Sequence, residues 1–160
     1  KQRVELTARI QKLLKLNFSN QFSSKLMMLA TDQTIIEAHK NGIDIQLHTH
    51  RHRLPVTELE CRKEIEENRE ILKSMLDKNL NHFCYPSGIW SKDHLPFLRL
   101  ESIESATTCD PGLNTPATDR LKLKRYLDSE AKTQIEFEAD ICGITALLDY
   151  LHTLFSHRPL

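Results

Sequence analysis

Residues 42–52 read GIDIQLHTHRH, and this stretch decides the predicted fold. Apolar and polar residues alternate over 43–47, which is the pattern of a half-buried β-strand. The strand pattern ends at three closely spaced histidines, His48, His50 and His52. In α/β proteins, functional side chains are concentrated where a strand ends. The stretch therefore predicts a strand followed by a candidate functional site.

Helical and strand patterns alternate on both sides of this stretch. Apolar spacing and capping residues predict helices over 3–16, from Thr31 or Asp32 to 41–42, and over 57–79, 95–100 and 141–155. Strand patterns fall at 82–85, 105–109 and 121–127, with loops at 17–25 and 110–116. Strands separated by helices predict an α/β fold with a parallel sheet, whose functional edge would carry both 48–52 and 86–88.

The composition is that of one globular domain spanning 1–160. Hydrophobic residues make up 39% and charged residues 28%, and the net charge of zero gives no basic surface for nucleic acid. No apolar run approaches the roughly 20 residues of a membrane helix, and no apolar signal-peptide core follows the first residues. The four cysteines are Cys61, Cys84, Cys109 and Cys142, which are far apart and form no CxxC pair. We therefore expect them to be reduced and mostly buried, and the protein to be cytoplasmic.

The histidine cluster is the strongest candidate for chemistry. If the segment is helical, His48 and His52 are one turn apart, with a rise of about 6 Å, and both can face one ion. Neutral imidazole suits zinc and its first-row neighbours. His50 would point elsewhere. The residues alone leave a polar surface loop as the alternative.

Two segments resemble motifs of one family. Residues 42–52 resemble the second motif of the polysaccharide deacetylase family (the NodB-homology domain), a strand followed by His-Ser/Thr-x-x-His. The resemblance implies that His48 and His52 bind the metal and that the Thr49 hydroxyl holds the loop. Residues 83–88, FCYPSG, resemble the third motif, commonly Arg-x-Pro-Tyr-Gly. The later stretch with residues 106–108, 111–114 and 123–125 also resembles some bacterial members, so the likeness runs from about residue 31 to 143.

This resemblance implies a (β/α) barrel-like fold and a function. The expected enzyme is a metal-dependent hydrolase, most readily with zinc, that removes acetyl groups from N-acetylated sugars of a polysaccharide or glycolipid. A backbone N–H of Ser87 or Gly88 would stabilise the developing oxyanion. Arg125 could replace the motif arginine, or be an ordinary solvated arginine. Pro86 and Trp90 would contact substrate, although Trp90 could equally be a core residue.

Three family features have no match. The sequence has no Asp-Asp pair, which supplies the base and a metal ligand on the first strand of these enzymes. Cys84 stands where the third motif usually has arginine. The terminal Leu-x-His has no clear counterpart, since His152 lies in a helical pattern. We therefore expect the C-terminal portion of the domain, without its first strand.

Two other functions remain open from the sequence. One is a catalytically inert carbohydrate-binding relative, and the other is a different metal-dependent amide hydrolase. The acidic run 64–67 is predicted to be a solvated helix face, and Asp110 to form a turn. The oligomeric state is not predicted.

Overall fold

The computed structural model describes residues 2–15 and 29–156. These residues form two compact units, one within 1–41 and one within 42–160. The predicted loop at 17–25 lies outside the described residues. The single-domain assignment stays a prediction.

The first unit contains two helices, α1 (Gln2–Leu13) and α2 (Asp32–Lys40). The predicted cap of α2 is confirmed, because the Thr34 N–H donates to the Thr31 hydroxyl at 3.2 Å. The helix ends at Asn41, the predicted position. Capping residues therefore located this helix correctly from sequence.

The second unit alternates strands and helices. Its elements are α3 (Glu58–Met75), β1 (His82–Cys84), a 3₁₀ turn (Pro86–Gly88), α4 (His94–Leu100), β2 (Ser105–Thr107), a 3₁₀ turn (Arg120–Lys122), α5 (Gln134–Ile141) and α6 (Ile144–Ser156). The helix predicted over 57–79 ends earlier, because Leu76 adopts an extended conformation. The helix predicted over 141–155 is confirmed as α6, which begins three residues later, after Gly143 at φ +80°, whereas the preceding helix α5 was not predicted.

The sheet is parallel, as predicted. Strands β1 and β2 pair in register, with Phe83 opposite Ala106. Single parallel bridges extend this pairing on both sides, from Leu47 to Phe83 and from Thr107 to Leu123. The strands predicted over 43–47 and 121–127 are thus reduced to one bridging residue each. Near Leu123, the 3₁₀ turn uses the backbone that a longer strand would need.

The core is made of buried residues from this sheet and from helices α3 and α4. Leu47, Phe83 and Ala106 are buried on the sheet. Helix α3 buries one face, which carries Cys61, Glu64, Ile65 and Leu72. This packing fixes the strand ends, and thereby the loops that follow them.

The four cysteines are free thiols, but only Cys61 is buried. Burial raises the pKa of the Cys61 thiol to about 11. Cys84 and Cys109 are half-buried and Cys142 is exposed, so the expectation of mostly buried thiols was wrong. Within residues 2–15 and 29–156, no helix has the length and apolar character needed to cross a membrane.

His94, at the start of α4, makes the fold sensitive to acid. Its ring is buried, and its Nδ1 accepts a hydrogen bond from the Ser91 N–H at 3.0 Å. Burial lowers the pKa of His94, while the backbone of Pro55 and the charge of Asp93 oppose this shift without reversing it. The folded state therefore favours the neutral ring.

We expect stability to fall as the pH drops below about 6.5, the ordinary histidine pKa, because the unfolded chain then binds a proton that folded His94 does not. One such proton contributes at most about 1.4 kcal/mol per pH unit. His94→Gln should flatten this part of the profile, measured by urea unfolding at pH 7.5 and 5.5. An unchanged pH dependence in the variant would rule out His94 as the cause.

Candidate active site

The candidate site lies at the C-terminal edge of the parallel segments. The Cys84 N–H donates to the Leu47 carbonyl at 3.0 Å, and the Thr108 N–H to the Leu123 carbonyl at 2.8 Å. The residues that follow these segments are therefore held at one edge. The predicted candidates His48, Ser87 and Arg125 all follow such a segment. This is the edge at which α/β folds carry out their chemistry.

His48 and His52 are brought together by a loop and not by a helix. Thr49 and His52 have positive φ angles, 64° and 55°, so the chain folds back on itself. The two imidazole centroids lie 4.9 Å apart, with the ring planes at 66°. The helical geometry considered for this segment was wrong, but the two rings are adjacent.

Two hydrogen bonds from backbone N–H groups to side chains close this loop. The Arg53 N–H donates to the Thr49 hydroxyl at 3.1 Å, and Thr49 is buried. Its hydroxyl thus holds the loop, in the way that the resemblance implied. The His48 N–H donates to the Asn68 side chain on α3 at 3.0 Å.

Glu64 anchors the same loop from below. It is only 2% exposed, and its carboxylate accepts hydrogen bonds from the Arg51 N–H at 2.8 Å and from the Arg51 guanidinium at 3.0 Å. Arg53 adds a longer bond at 3.4 Å. Burial alone would raise the pKa of Glu64, but these bonds outweigh it and hold the pKa below its usual value.

The prediction that all of 64–67 is solvated was therefore wrong for Glu64. Sequence reasoning did not find this residue or Asn68. The available signal was helical spacing, since Glu64 is three residues after Cys61 and adjacent to Ile65, both of which are buried.

Glu64→Gln is expected to destabilise the protein by about 1–3 kcal/mol, because it removes the charge from a buried carboxylate that two arginines contact. Glu66→Gln is the matched control on the same helix. Its carboxylate is half exposed and pairs, among the described residues, only with Arg62, so we expect a change within about 0.5 kcal/mol. Urea unfolding measures both. Equal losses would show that Glu64 has no special anchoring role.

The orientation of His48 suits a metal ligand. Its Nδ1 lies 2.7 Å from the Cys84 carbonyl oxygen, which can only accept a hydrogen bond. Nδ1 therefore donates this hydrogen bond, which leaves Nε2 as the ring nitrogen that would face a metal ion. Histidines that bind metals commonly donate their other ring N–H to a carbonyl in this way. The donor set fits a divalent cation such as zinc through two imidazoles.

A third ligand is not present in the described part of the chain. Among residues 2–15 and 29–156, no group of three or more His, Cys, Asp or Glu side chains is placed to hold a metal. Catalytic zinc sites usually have three protein ligands. His48 and His52 alone would therefore be an incomplete ligand set for zinc.

The turn Pro86–Gly88 carries a strained residue. Ser87 has φ 55° and ψ 16°, a left-handed conformation that is uncommon for a residue with a side chain. The Gly88 N–H already donates to the Tyr85 carbonyl at 2.9 Å. Among the described residues, the Ser87 N–H has no hydrogen-bond partner. Of the two predicted oxyanion donors, Ser87 is therefore the one that is available.

Pro86 and Trp90 support this turn from the protein side. Pro86 is buried, so its ring offers no open surface to a substrate. Trp90 Nε1 donates to the Asp110 carboxylate at 3.3 Å, and its ring lies 6.2 Å from that of Tyr85. The Lys122 ammonium lies 5.7 Å from the centre of the indole ring. Pro86 and Trp90, the two predicted substrate-binding residues, thus both pack against other residues of the protein.

Arg125 is half-buried. Its Nη2 donates to the Cys109 sulfur at 3.0 Å, and its backbone N–H to the Asp110 carbonyl at 3.1 Å. Hydrogen bonding to Cys109, with further support from Cys84, raises the pKa of the Arg125 guanidinium despite burial. Cys84 also provides the carbonyl that holds His48. Arg125 is thus connected to the histidine pair through Cys84.

Comparison with known proteins places this arrangement in a family. The family described as polysaccharide deacetylase matches residues 12–102, more than half of the 160 residues. No curated protein sequence matches the chain at a significant level. The chain belongs to the polysaccharide deacetylase family.

Solved structures with a similar fold are also deacetylases. They include a Streptococcus pyogenes deacetylase in complex with acetate (TM-score 0.57, 21% identity, covering 64% of this chain and 46% of that one). A Bacillus cereus polysaccharide deacetylase has a TM-score of 0.61 at 22% identity, and the match covers 72% of this chain and 38% of that one. A deacetylase domain from Bordetella bronchiseptica has a TM-score of 0.56 at 14% identity, and the match covers 61% of this chain and 48% of that one.

These likenesses extend to the fold alone. The chain spans less than half the length of each of the three structures. Its two paired strands and two flanking bridges are part of the parallel α/β arrangement of the family, and closure into a barrel stays a prediction.

Proposed function

We propose that this chain contributes the histidine pair and the oxyanion turn of a metal-dependent deacetylase. Its substrate class would be N-acetylated sugars of a polysaccharide or glycolipid. The observation that carries this proposal is the adjacency of His48 and His52 at the sheet edge, with His48 oriented by the Cys84 carbonyl. Family membership supports the reaction class.

His48 and His52 would hold the cation, most readily zinc, through their ring nitrogens. When bound, a divalent cation supplies Lewis acidity, which polarises an acetamide carbonyl and lowers the pKa of water. The protein's own contribution is to fix the two rings before the cation arrives. The bonds from Glu64 and Asn68 to the loop serve this purpose, because a preorganised site loses less entropy on binding.

Ser87 would stabilise the charge that develops on the substrate oxygen. Its N–H has no hydrogen-bond partner among the described residues, and its backbone is held in a strained left-handed conformation. Removing one preorganised oxyanion donor typically raises the activation free energy by about 3–4 kcal/mol. The general base would come from a carboxylate that the matched motifs of this chain do not include.

A second candidate is a carbohydrate-binding relative without catalysis. The observation that favours it is the incomplete ligand set within the described residues. The two candidates differ in one product, because only a deacetylase releases acetate.

The experiment measures acetate release from N-acetylated oligosaccharides by the protein that contains this chain. We expect release to stop after treatment with a chelator and to return with zinc. Undiminished release after complete metal removal would contradict the metal-dependent proposal. Sugar binding without any acetate release would favour the binding relative. Ammonia in place of acetate would indicate a different amide hydrolase.

A further inference from the structure

His94 is a buried polar residue that binds the chain just after the oxyanion turn (Pro86–Gly88). It is 2% exposed and is the first residue of α4. Its Nδ1 accepts a hydrogen bond from the Ser91 N–H at 3.0 Å, and its own backbone N–H donates to the Ser91 carbonyl at 3.2 Å. Two bonds to the same residue therefore fix where the chain enters α4.

The chain between the oxyanion turn and Ser91 is short and held by hydrogen bonds. Ser91 is three residues after Gly88. The N–H groups of Gly88 and Ile89 each donate to the carbonyl three residues earlier, at 2.9 and 3.1 Å. A displacement of Ser91 would therefore be passed along this segment to Ser87, which carries the candidate oxyanion donor.

The ring of His94 also interacts with the chain that leaves the loop of His48 and His52. Pro55 is three residues after His52. Burial lowers the pKa of His94, and the Pro55 backbone opposes this shift as a hydrogen-bond acceptor. Proline has no backbone N–H, so its carbonyl faces the ring.

The two nitrogens of this ring therefore have different partners. Nδ1 accepts from Ser91, so Nε2 is the nitrogen that can donate toward the Pro55 carbonyl. Nε2 makes no hydrogen bond of normal length and angle among the described residues, so the contact with Pro55 is the weaker one. The bond to Ser91 is the stronger constraint.

We propose that His94 is a positioning residue, which through Ser91 holds the oxyanion turn in place relative to the loop of His48 and His52. It would touch neither the substrate nor the metal ion. This inference rests on the proposed function for its effect on the reaction. An oxyanion donor acts through its distance from the substrate oxygen, and a misplacement of about 1 Å can cost about 100-fold in rate.

Two variants separate the two nitrogens of the ring. The amide oxygen of asparagine is two bonds from Cβ, as Nδ1 is, so His94→Asn keeps an acceptor for the Ser91 N–H. The amide nitrogen of glutamine is three bonds from Cβ, as Nε2 is, so His94→Gln keeps the side toward Pro55 and loses that acceptor. Ile103→Val is the matched control, because it removes a methyl group from a buried residue and leaves the bonds between His94 and Ser91 in place.

The test measures kcat and KM for acetate release by the protein that contains this chain, saturated with zinc and at a temperature where every variant is folded. We expect His94→Gln to lower kcat at least about tenfold with little change in KM, because the donor acts in the transition state. His94→Asn should restore most of kcat, and Ile103→Val should keep all of it despite its lower stability. Unchanged kcat in His94→Gln overturns the proposal. So do equal losses in His94→Gln and either of the other variants.

The amide resonance of Ser87 tests the position of the turn without the reaction. In protein labelled with ¹⁵N-serine, this resonance is assigned by its loss in Ser87→Ala. It should shift in His94→Gln and stay in place in His94→Asn and Ile103→Val. If this pattern is found but the unmodified protein releases no acetate, the proposed function fails and the positioning role of His94 stands. A Ser87 resonance that does not move in His94→Gln overturns the positioning role.

If His94→Gln does not fold, hydrogen exchange in the unmodified protein decides. The amides of Gly88 and Ser91 should be protected to the same extent, because a turn held through Ser91 opens together with it. A Gly88 amide that exchanges freely while the Ser91 amide stays protected overturns the proposal.

Discussion

Gly88→Ala is expected to destabilise the protein by about 2–4 kcal/mol. Two costs add at this position. Gly88 has φ +69°, which an alanine adopts only with strain. A Cβ would also lie 2.5 Å from the Cys109 Cβ and 2.9 Å from the Cys109 nitrogen, so the backbone must move. Urea unfolding measures the loss.

Gly42→Ala separates these two costs. Gly42 has φ +91°, but a Cβ there would meet nothing within 4 Å. We therefore expect it to lose only about 1 kcal/mol, from backbone strain alone. Equal losses at the two positions would contradict the close packing of the turn against Cys109.

His48→Ala and His52→Ala are each expected to lower deacetylation by more than about 100-fold in the protein that contains this chain. Removing residues that only orient metal ligands typically costs 10–100-fold, and removing a ligand should cost more. Zinc affinity should fall in parallel. Acetate release and a zinc competition titration measure the two effects.

His50→Ala is the control in the same loop. His50 is exposed, and its N–H donates to the Glu64 backbone carbonyl on α3, a bond that alanine keeps. We expect near-normal zinc affinity and activity. If all three variants behaved alike, the pairing of His48 with His52 would have no functional meaning.

Capping residues and short alternating patterns correctly predicted where several helices and strands lie. Thr31 located the start of α2, and the alternation before His48 located a segment of the parallel sheet. The predicted strand over 43–47 pairs only at Leu47, because pairing depends on a partner strand that alternation cannot reveal. Helix and strand types were therefore more predictable than their lengths.

The sequence predicted that His48 and His52 lie together, but not the geometry of the loop that brings them together. The spacing of His48 and His52 identified the pair, whereas the loop that joins them depends on Thr49 in a left-handed conformation. Its anchor, Glu64, was hidden in a run of charged residues that is otherwise solvated. Contacts made across the fold, such as the Cys84 carbonyl with His48, leave no periodic signal in the sequence.

The most direct test of the metal site is zinc K-edge X-ray absorption on the chain with one equivalent of zinc. We predict backscattering from two imidazole nitrogens at about 2.0–2.1 Å, with lighter oxygen ligands completing the shell. The imidazole signal should disappear in the His48→Ala/His52→Ala double variant and persist in His50→Ala. An imidazole signal that is unchanged in the double variant, or absent from the unmodified chain, would contradict the assignment of His48 and His52 as the metal ligands.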